Sequence, residues 1–250
     1  MTEMPFNETP WGREFVADVP IQFLAPRRGV KGIVVVLGDP DWPDPHGWVQ
    51  LNLTVRDLGL GVVVPNVLPW WVDRPDPALK PARSPISFAI NDLAPWIQKK
   101  WPEDSRLAAL GVGLGGQGAL QLAYRHPEVF SMATAICPAI DFHRLHDSSP
   151  QLQEWFETQE RARQDTATLR LHPLNWPPHQ WFACPRGDWR FDGCERLASK
   201  LTSMGIPFEA DLETADEDTY VISQFDTAIS LIMKWQAEPP TTRGIQVGRG

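Results

Sequence analysis

The stretch LGVGLGGQGAL, residues 110–120, decides how the rest of this chain is interpreted. Its glycines at 111, 113 and 116 match G-x-G-x-x-G, the turn that holds the phosphates of a dinucleotide. The glycines at 111, 113 and 115 also match G-x-S-x-G, the nucleophile turn of hydrolases, with glycine in place of the serine. The first pattern predicts a cofactor enzyme, and the second predicts a hydrolase relative that lacks its nucleophile.

Short apolar runs on both sides of this stretch predict a central, mostly parallel sheet. IVVVL, GVVVP and MATAIC are almost continuously apolar, as strands are when helices cover both faces of a sheet. Helical patterns alternate with these runs, so the order of elements predicts an α/β fold. The predicted strands are Phe15–Phe23, Gly32–Leu37, Gly61–Val64, Leu107–Gly111, Met132–Cys137, Trp181–Cys184 and Phe208–Leu212.

Apolar residues at spacings of three and four predict the helices between the strands. One pattern spans residues 86–97, and Pro95 should bend it. The segment 151–164 is polar and charged, which predicts a surface insertion. We expect one domain over residues 1–236 and a disordered tail over 237–250, where the periodicity ends.

Composition excludes several classes of protein. The chain has 23 Lys and Arg against 31 Asp and Glu, a net charge of −8, which argues against binding to a nucleic-acid backbone. Its apolar runs are too short to span a membrane, and the start MTEMPFNETPWGREF shows no secretory signal, so we expect a cytoplasmic protein. Three cysteines do not form a disulfide framework, and no Cys/His spacing indicates a zinc site. We therefore predict no metal and no cofactor.

Tryptophan and proline are unusually frequent, with 12 Trp and 25 Pro. They concentrate in the loops DPDWPDPHGW, residues 39–48, and NVLPWW, residues 66–71. Stiff apolar loops of this kind suit the rim of a pocket, although they can equally cover hydrophobic core. The candidate pocket residues are Trp42, His46, Trp70 and Trp71.

The position of the glycine turn in the chain separates its two interpretations. A dinucleotide-binding fold places the turn after its first strand, whereas three predicted strands precede this one. The acidic residue that would bind a ribose is Asp141, thirty residues beyond Gly111 instead of about twenty. The hydrolase interpretation fits better, because a strand, a tight turn and a helix follow one another at residues 107–124.

These segments give the chain a resemblance to a known family. The stretches GVGLGGQGALQLAYRHPEVF (111–130), CPAIDF (137–142) and GCERLASKLTSMGIPFEADLET (193–214) resemble the α/β-hydrolase "putative esterase" group, which includes esterase D-like, S-formylglutathione hydrolase-like and feruloyl esterase-like enzymes. The resemblance implies an α/β-hydrolase fold from about residue 32 to residue 235. It also implies carboxylic-ester hydrolysis by a serine, histidine and acid triad.

Carried over to this sequence, the resemblance places the nucleophile at Gly113 and the acid at Asp188, with Asp192 as the alternative acid. The histidine would fall within residues 214–220, at Glu217 or Asp218. Glycine has no side-chain oxygen with which to form an acyl-enzyme. A carboxylate with an ordinary pKa is a poor proton acceptor at neutral pH, so two of the three catalytic groups are missing.

The resemblance also locates the donors that would stabilise an oxyanion. One is the backbone N–H of Leu114, and a second would come from Gly38 and Asp39, where such esterases often carry His-Gly. A carboxylate at Asp39 would oppose the developing negative charge. Elsewhere, Cys137 is interpreted as a buried apolar side chain, and the cluster formed by His143, His146 and their neighbouring aspartates as a solvated loop.

Three hypotheses about function follow from the sequence. The leading one is a degenerate esterase homologue that binds a small-molecule ligand or a protein partner. The second is an active ester hydrolase that uses Asp188 with Glu217 or Asp218 near the vacant turn. The third is a nucleotide-binding oxidoreductase that uses G-x-G-x-x-G and Asp141.

Overall fold

The computed structural model describes residues 11–27, 29–39, 54–66, 71–102, 106–213 and 220–238. Within these residues, eight strands form one sheet in the order β1-β2-β4-β3-β5-β6-β7-β8. The pairs β1/β2 and β2/β4 are antiparallel, and all the other neighbours are parallel. The strands are β1 Trp11–Val16, β2 Val19–Leu24, β3 Gly32–Leu37, β4 Leu60–Pro65, β5 Leu107–Val112, β6 Phe130–Ile136, β7 His179–Ala183 and β8 Glu209–Asp211.

Helices cover the parallel part of the sheet on both faces, which confirms the predicted α/β architecture. Every residue of β3, β4 and β5 is buried, as their continuous apolar runs require. The α-helices are α1 Thr54–Asp57, α2 Pro85–Phe88, α3 Ala94–Lys100, α4 Gly113–Arg125, α5 Pro150–Trp155, α6 Gln159–Arg163, α7 Phe191–Met204 and α8 Tyr220–Ala237. The last helix runs one residue into the predicted tail, and residues 239–250 lie outside the described part of the chain. No described helix has the length and apolar character that crossing a bilayer requires.

The strand predicted over Phe15–Phe23 is wrong, because the structure contains a hairpin there. The strands β1 and β2 pair around Ala17 and Asp18, which both have positive φ angles of 48° and 67°. Two central residues with positive φ are what a two-residue type I′ hairpin turn requires. The sequence Ala17-Asp18 lacks the glycine that usually marks such a turn, so the sequence carries no signal that divides this segment into two strands.

The predicted helix over 86–97 is interrupted in a way that accommodates Pro95. A π-helical turn, Ala89–Leu93, separates α2 from α3. Pro95 lies in the first turn of α3, where its missing N–H costs little. The predicted bend is therefore a local change of helical pitch.

The segment 151–164 is more than a polar surface insertion, which corrects the prediction. Helices α5 and α6 bury Leu152, Phe156 and Ala162 in a second hydrophobic cluster, apart from the main core. That cluster also contains Leu114, the second residue of α4. The insertion therefore packs beside the glycine turn and helps to fix its surroundings.

The parallel strands bring the candidate residues to one edge of the sheet. Strands β3, β5, β6 and β7 are neighbours in that order and run in the same direction. Asp39, Gly113, Cys137 and Cys184 follow the ends of these four strands, at what we term the carboxyl edge. In open α/β sheets, ligand sites form at this edge.

Candidate functional site

The glycine turn between β5 and α4 has a backbone that only glycine adopts easily. Gly113 has a φ angle of +55°, and its carbonyl accepts a hydrogen bond from the N–H of Ala139 at 2.8 Å. A Cβ at Gly111 would overlap the backbone of Gly115, and a Cβ at Gly115 would overlap the backbone of Leu37. These glycines therefore let α4 pack directly against β5 and β3.

This close packing argues against the dinucleotide interpretation of the same glycines. A pyrophosphate needs free N–H groups at the start of the helix. The N–H of Leu114 donates instead to Asp39, and the backbone at Leu37 lies against Gly115. Asp141, the candidate ribose ligand, forms an ion pair with Arg196.

The Asp39 carboxylate occupies the space above the glycine turn. Asp39 is 7% exposed, and its Oδ2 accepts a hydrogen bond from the N–H of Leu114 at 2.5 Å. A Cβ built on Gly113 would overlap this same oxygen. The carboxylate thus fills the position that any side chain at residue 113 would take.

Arg190 lies beside the same position. Its Nη1 is 3.2 Å from where a Cβ on Gly113 would lie. Its Nε donates to Asp188 Oδ1 at 2.8 Å and its Nη2 donates to Oδ2 at 2.5 Å, which is a two-point arginine–carboxylate pair. The two side chains are only 16% and 13% exposed. Asp39, Arg190 and Asp188 together form what we term the site network.

The charge state of Arg190 is fixed by its partner. Burial alone would lower the pKa of Arg190, but the hydrogen bonds and negative charge of Asp188 raise that pKa above its ordinary value. A guanidinium has five N–H donors and no acceptor, and it keeps its proton in proteins. Arg190 can therefore bind an anion but cannot take a proton from a nucleophile.

Several sequence-predicted site residues lie elsewhere or outside the described part of the chain. The candidate histidine positions Glu217 and Asp218 fall outside it, as do three of the four candidate pocket residues, Trp42, His46 and Trp70. Trp71, the fourth, is 1% exposed in the main core, where a Cβ on Gly118 would overlap its ring. Gly38 is half-buried, and its carbonyl faces Gly115.

Three of the described histidines make contacts away from the site network. His179 stacks on Trp235 with ring centroids 5.2 Å apart, and His146 contacts the carbonyl of Phe156 at 2.8 Å. His126 contacts Glu128 at 3.3 Å. Among the residues that the structure describes, the hydrogen-bond partner of the Asp188 carboxylate is Arg190 and not a histidine.

Cys137 lies beside the site network as a buried thiol. It is 1% exposed, and its backbone has a φ angle of +45°. A hydrogen bond with Cys184 and burial raise the pKa of Cys137, while the charge of Arg190 lowers it. The raised pKa keeps the thiol protonated at neutral pH, so it lacks the thiolate that nucleophilic attack needs.

Arg190 and Cys184 lie at this site and were not predicted from the sequence. Arg190 follows Asp188 by two residues, directly before α7, and this spacing was the available signal. The thiols of Cys137 and Cys184 come together because Ile136 pairs with Ala183 in adjacent parallel strands. That pairing becomes visible only once the order of the strands is known.

Comparisons with known proteins agree with this fold. A family model described as "Putative esterase" matches residues 68–202. No curated protein sequence matches the chain.

Solved structures of serine hydrolases have the same fold at low sequence identity. FphF, a fluorophosphonate-binding serine hydrolase of Staphylococcus aureus in a substrate-bound form, superposes with a TM-score of 0.71 at 13% identity, covering 92% of this chain and 100% of its own. An S-formylglutathione hydrolase of Agrobacterium tumefaciens gives 0.64 at 17%, covering 90% and 92%. A ferulic acid esterase gives 0.59 at 14%, covering 85% and 91%. The fold class predicted from the sequence is therefore confirmed as an α/β-hydrolase fold.

Proposed function

This chain belongs to the "Putative esterase" family, and we propose that it is a member in which a fixed network of charges replaces the catalytic triad. In this proposal Gly113 and Asp188 occupy the nucleophile and acid positions. The protein forms no acyl-enzyme, and it acts by binding a small-molecule ligand or a protein partner at the carboxyl edge.

The position of the Asp39 carboxylate carries the proposal. In acyl transfer, the N–H after the nucleophile stabilises the oxyanion of the tetrahedral intermediate. Here that N–H belongs to Leu114 and already binds the negatively charged oxygen of Asp39. The same oxygen blocks the space in which a nucleophile attached to residue 113 would lie. The negative charge of Asp39 therefore lies where acyl transfer would have to develop the negative charge of the oxyanion.

The Arg190–Asp188 pair supports the proposal from the other side of the turn. A triad needs a base that alternates between neutral and protonated forms. Arg190 bridges from Asp188 toward Gly113, where such a base would act, but its charge does not alternate. Both oxygens of Asp188 bind the guanidinium, so Asp188 is not a free base either.

The position of the Asp39 carboxylate oxygen above Gly113 is the one observation that favours an active enzyme. A carboxylate at the nucleophile position could attack an ester itself and form an anhydride intermediate. The hydrogen bond from Leu114 and the nearby guanidinium of Arg190 stabilise the negative charge and so reduce its nucleophilicity. We therefore rank this activity second.

The test is covalent labelling and ester turnover with matched variants. Purified wild type, Asp39→Asn and Gly113→Ser are treated with a fluorophosphonate probe and, separately, with p-nitrophenyl acetate. We expect no labelled residue in any of them and turnover equal to a heat-denatured control. Gly113→Ser supplies an oxygen but still lacks a base, so it should stay inactive.

Two outcomes would contradict the proposal. Labelling of the wild type, or wild-type turnover that Asp39→Asn abolishes, would make the protein a hydrolase with Asp39 in the reaction. Robust esterase activity of Gly113→Ser would show that a functional base is present after all. A thermal shift with NAD or NADP but not with acyl compounds would instead favour the oxidoreductase hypothesis.

A further inference from the structure

All three cysteines of the chain converge beneath the carboxyl edge. Cys137 and Cys184 follow adjacent strands, β6 and β7, whereas Cys194 projects from α7. They are 1%, 0% and 0% exposed. The sulphurs of Cys137 and Cys184 lie within 4.8 Å of each other and Cys194 interacts electrostatically with Cys184, so the three thiols form one buried group.

The donor atoms of Cys137, Cys184 and Asp188 are close enough to share one ion. Their two sulphurs and one carboxylate oxygen all lie within 4.8 Å of one another. Two metal–sulphur bonds of about 2.3 Å each can span a separation of up to about 4.6 Å, which is comparable with this limit, so one ion can contact both sulphurs. Cys194 lies next to this group but is not a member of it.

Tyr220 places a buried hydroxyl near the two thiols. It is 3% exposed, and its hydroxyl has no hydrogen-bond partner among the residues that the structure describes. The hydroxyl lies close enough to Cys137, Asp211 and Cys184 to interact electrostatically with them. A buried polar atom without a partner needs an explanation, and a neighbouring thiolate would supply the acceptor.

We propose that Cys137 and Cys184 bind a thiophilic monovalent cation, Cu(I), as a pair of thiolates beside Asp188 and Arg190. Soft thiolate ligands select Cu(I), Zn(II) and iron–sulphur clusters. Structural zinc is almost always held by four ligands. Both Asp188 oxygens already bind Arg190, which leaves two strong donors, too few for zinc.

The charges of the proposed complex balance within the site. Each thiol releases its proton to solvent as the ion binds, so that two S–H bonds are exchanged for two S–Cu bonds without oxidation or reduction. Two thiolates and one Cu(I) carry a net charge of −1, and the guanidinium of Arg190 lies near enough to influence Cys137. Asp188 then orients Arg190 and is not itself a ligand.

The test is an anaerobic titration of the reduced protein with Cu(I) against a chromophoric Cu(I) chelator. We expect one ion per chain. Cys137→Ser and Cys184→Ser should each weaken binding by at least about 100-fold, beyond the 10–100-fold that the loss of an outer-shell partner causes. Cys194→Ser is the matched control, because it changes an equally buried thiol outside the group and should weaken binding by about tenfold at most.

A labelling experiment on the wild type keeps the proposal testable if a variant does not fold. Protein with and without one equivalent of Cu(I) is alkylated with iodoacetamide in low denaturant, and the modified cysteines are mapped by mass spectrometry. We expect Cu(I) to protect Cys137 and Cys184 more strongly than Cys194.

Three results would overturn the proposal. They are no binding in competition with the chelator, binding that is unchanged in Cys137→Ser and Cys184→Ser, or equal protection of all three cysteines. Tighter binding of Zn²⁺ than of Cu(I) would overturn the assignment to copper. These residues differ from Asp39 and Gly113, so ester turnover by the wild type would refute the proposed function and leave the metal titration unaffected.

Discussion

The protein has two arginine–aspartate networks with the same kind of ion pair but different structural roles. In the site network, Arg190 binds one aspartate two residues away, beside the turn at Gly113. In what we term the scaffold network, Asp165 binds both Arg125 and Arg170. The arginines Arg190 and Arg125 are equally exposed, at 16%.

The difference lies in what each network holds together. Asp165 also accepts the N–H of Asp73 at 3.2 Å, so the scaffold network joins segments that are far apart in the chain. The site network is mostly local and fills the space that a side chain at residue 113 would occupy. Burial lowers the pKa of Arg125; the charge of Asp165 opposes this and the like charge of Arg170 adds to it. The pKa of Arg190 is raised because its hydrogen bonds to Asp188 and the charge of that residue outweigh burial.

The largest expected effect follows from breaking the scaffold network. Asp165→Asn removes the buried charge that Arg125 and Arg170 share and leaves Arg125 paired with Asp73 alone, so we expect the free energy of unfolding to fall by about 3 kcal/mol. Urea denaturation measures this value. Glu160→Gln is the control, because its ion pair with Arg163 is solvent-exposed and should leave the urea midpoint unchanged.

The second-largest effect is expected from adding a side chain at Gly113, where a Cβ would overlap the Asp39 carboxylate. Gly113→Ala forces a Cβ into the left-handed region and against the Asp39 oxygen, so we expect a loss of about 2–3 kcal/mol in unfolding free energy. In an Asp39→Ala background the overlap is gone, and the same change should cost only about 1–2 kcal/mol. Additive effects in this double-mutant cycle would show that the two side chains do not compete for the space.

A smaller effect is expected from breaking the site network. Asp188→Asn leaves Arg190 with the Asp39 carboxylate nearby, so the charge is not left alone. We expect a loss of about 1–3 kcal/mol in unfolding free energy, which is less than for Asp165→Asn. A larger loss than in Asp165→Asn would contradict the distinction between a local network and a scaffold.

The smallest effect concerns His146, which, unlike the arginines, titrates near neutral pH. Hydrogen bonds to the Phe156 carbonyl and to Asp147 raise its pKa. Because the folded-state pKa is the higher one, the stabilisation is complete below the unfolded-state pKa of about 6.5 and is lost as pH rises through the folded-state value. We expect the stability of the wild type relative to His146→Gln to decrease as pH rises above about 6.5. A difference that is constant between acidic and alkaline pH would contradict the assignment.

The sequence by itself determined the parallel sheet, the tight turn and the absence of a side chain at Gly113. Continuous apolar runs indicate burial on both faces of the sheet, and the glycines at 111 and 115 indicate close backbone packing. Both signals are local in the sequence. The hairpin at Ala17 and Asp18 could not be predicted from the sequence, because its turn lacks the usual glycine.

Only the tertiary structure shows what occupies the space that a side chain at residue 113 would take. The contact between Asp39 and Leu114 joins residues 75 positions apart, and the meeting of Cys137 with Cys184 depends on β6 lying next to β7. Local patterns carry information about burial and backbone conformation but not about which strands are neighbours. The sequence could therefore show that a side chain is absent at Gly113, whereas the order of the strands decided that a carboxylate occupies its place.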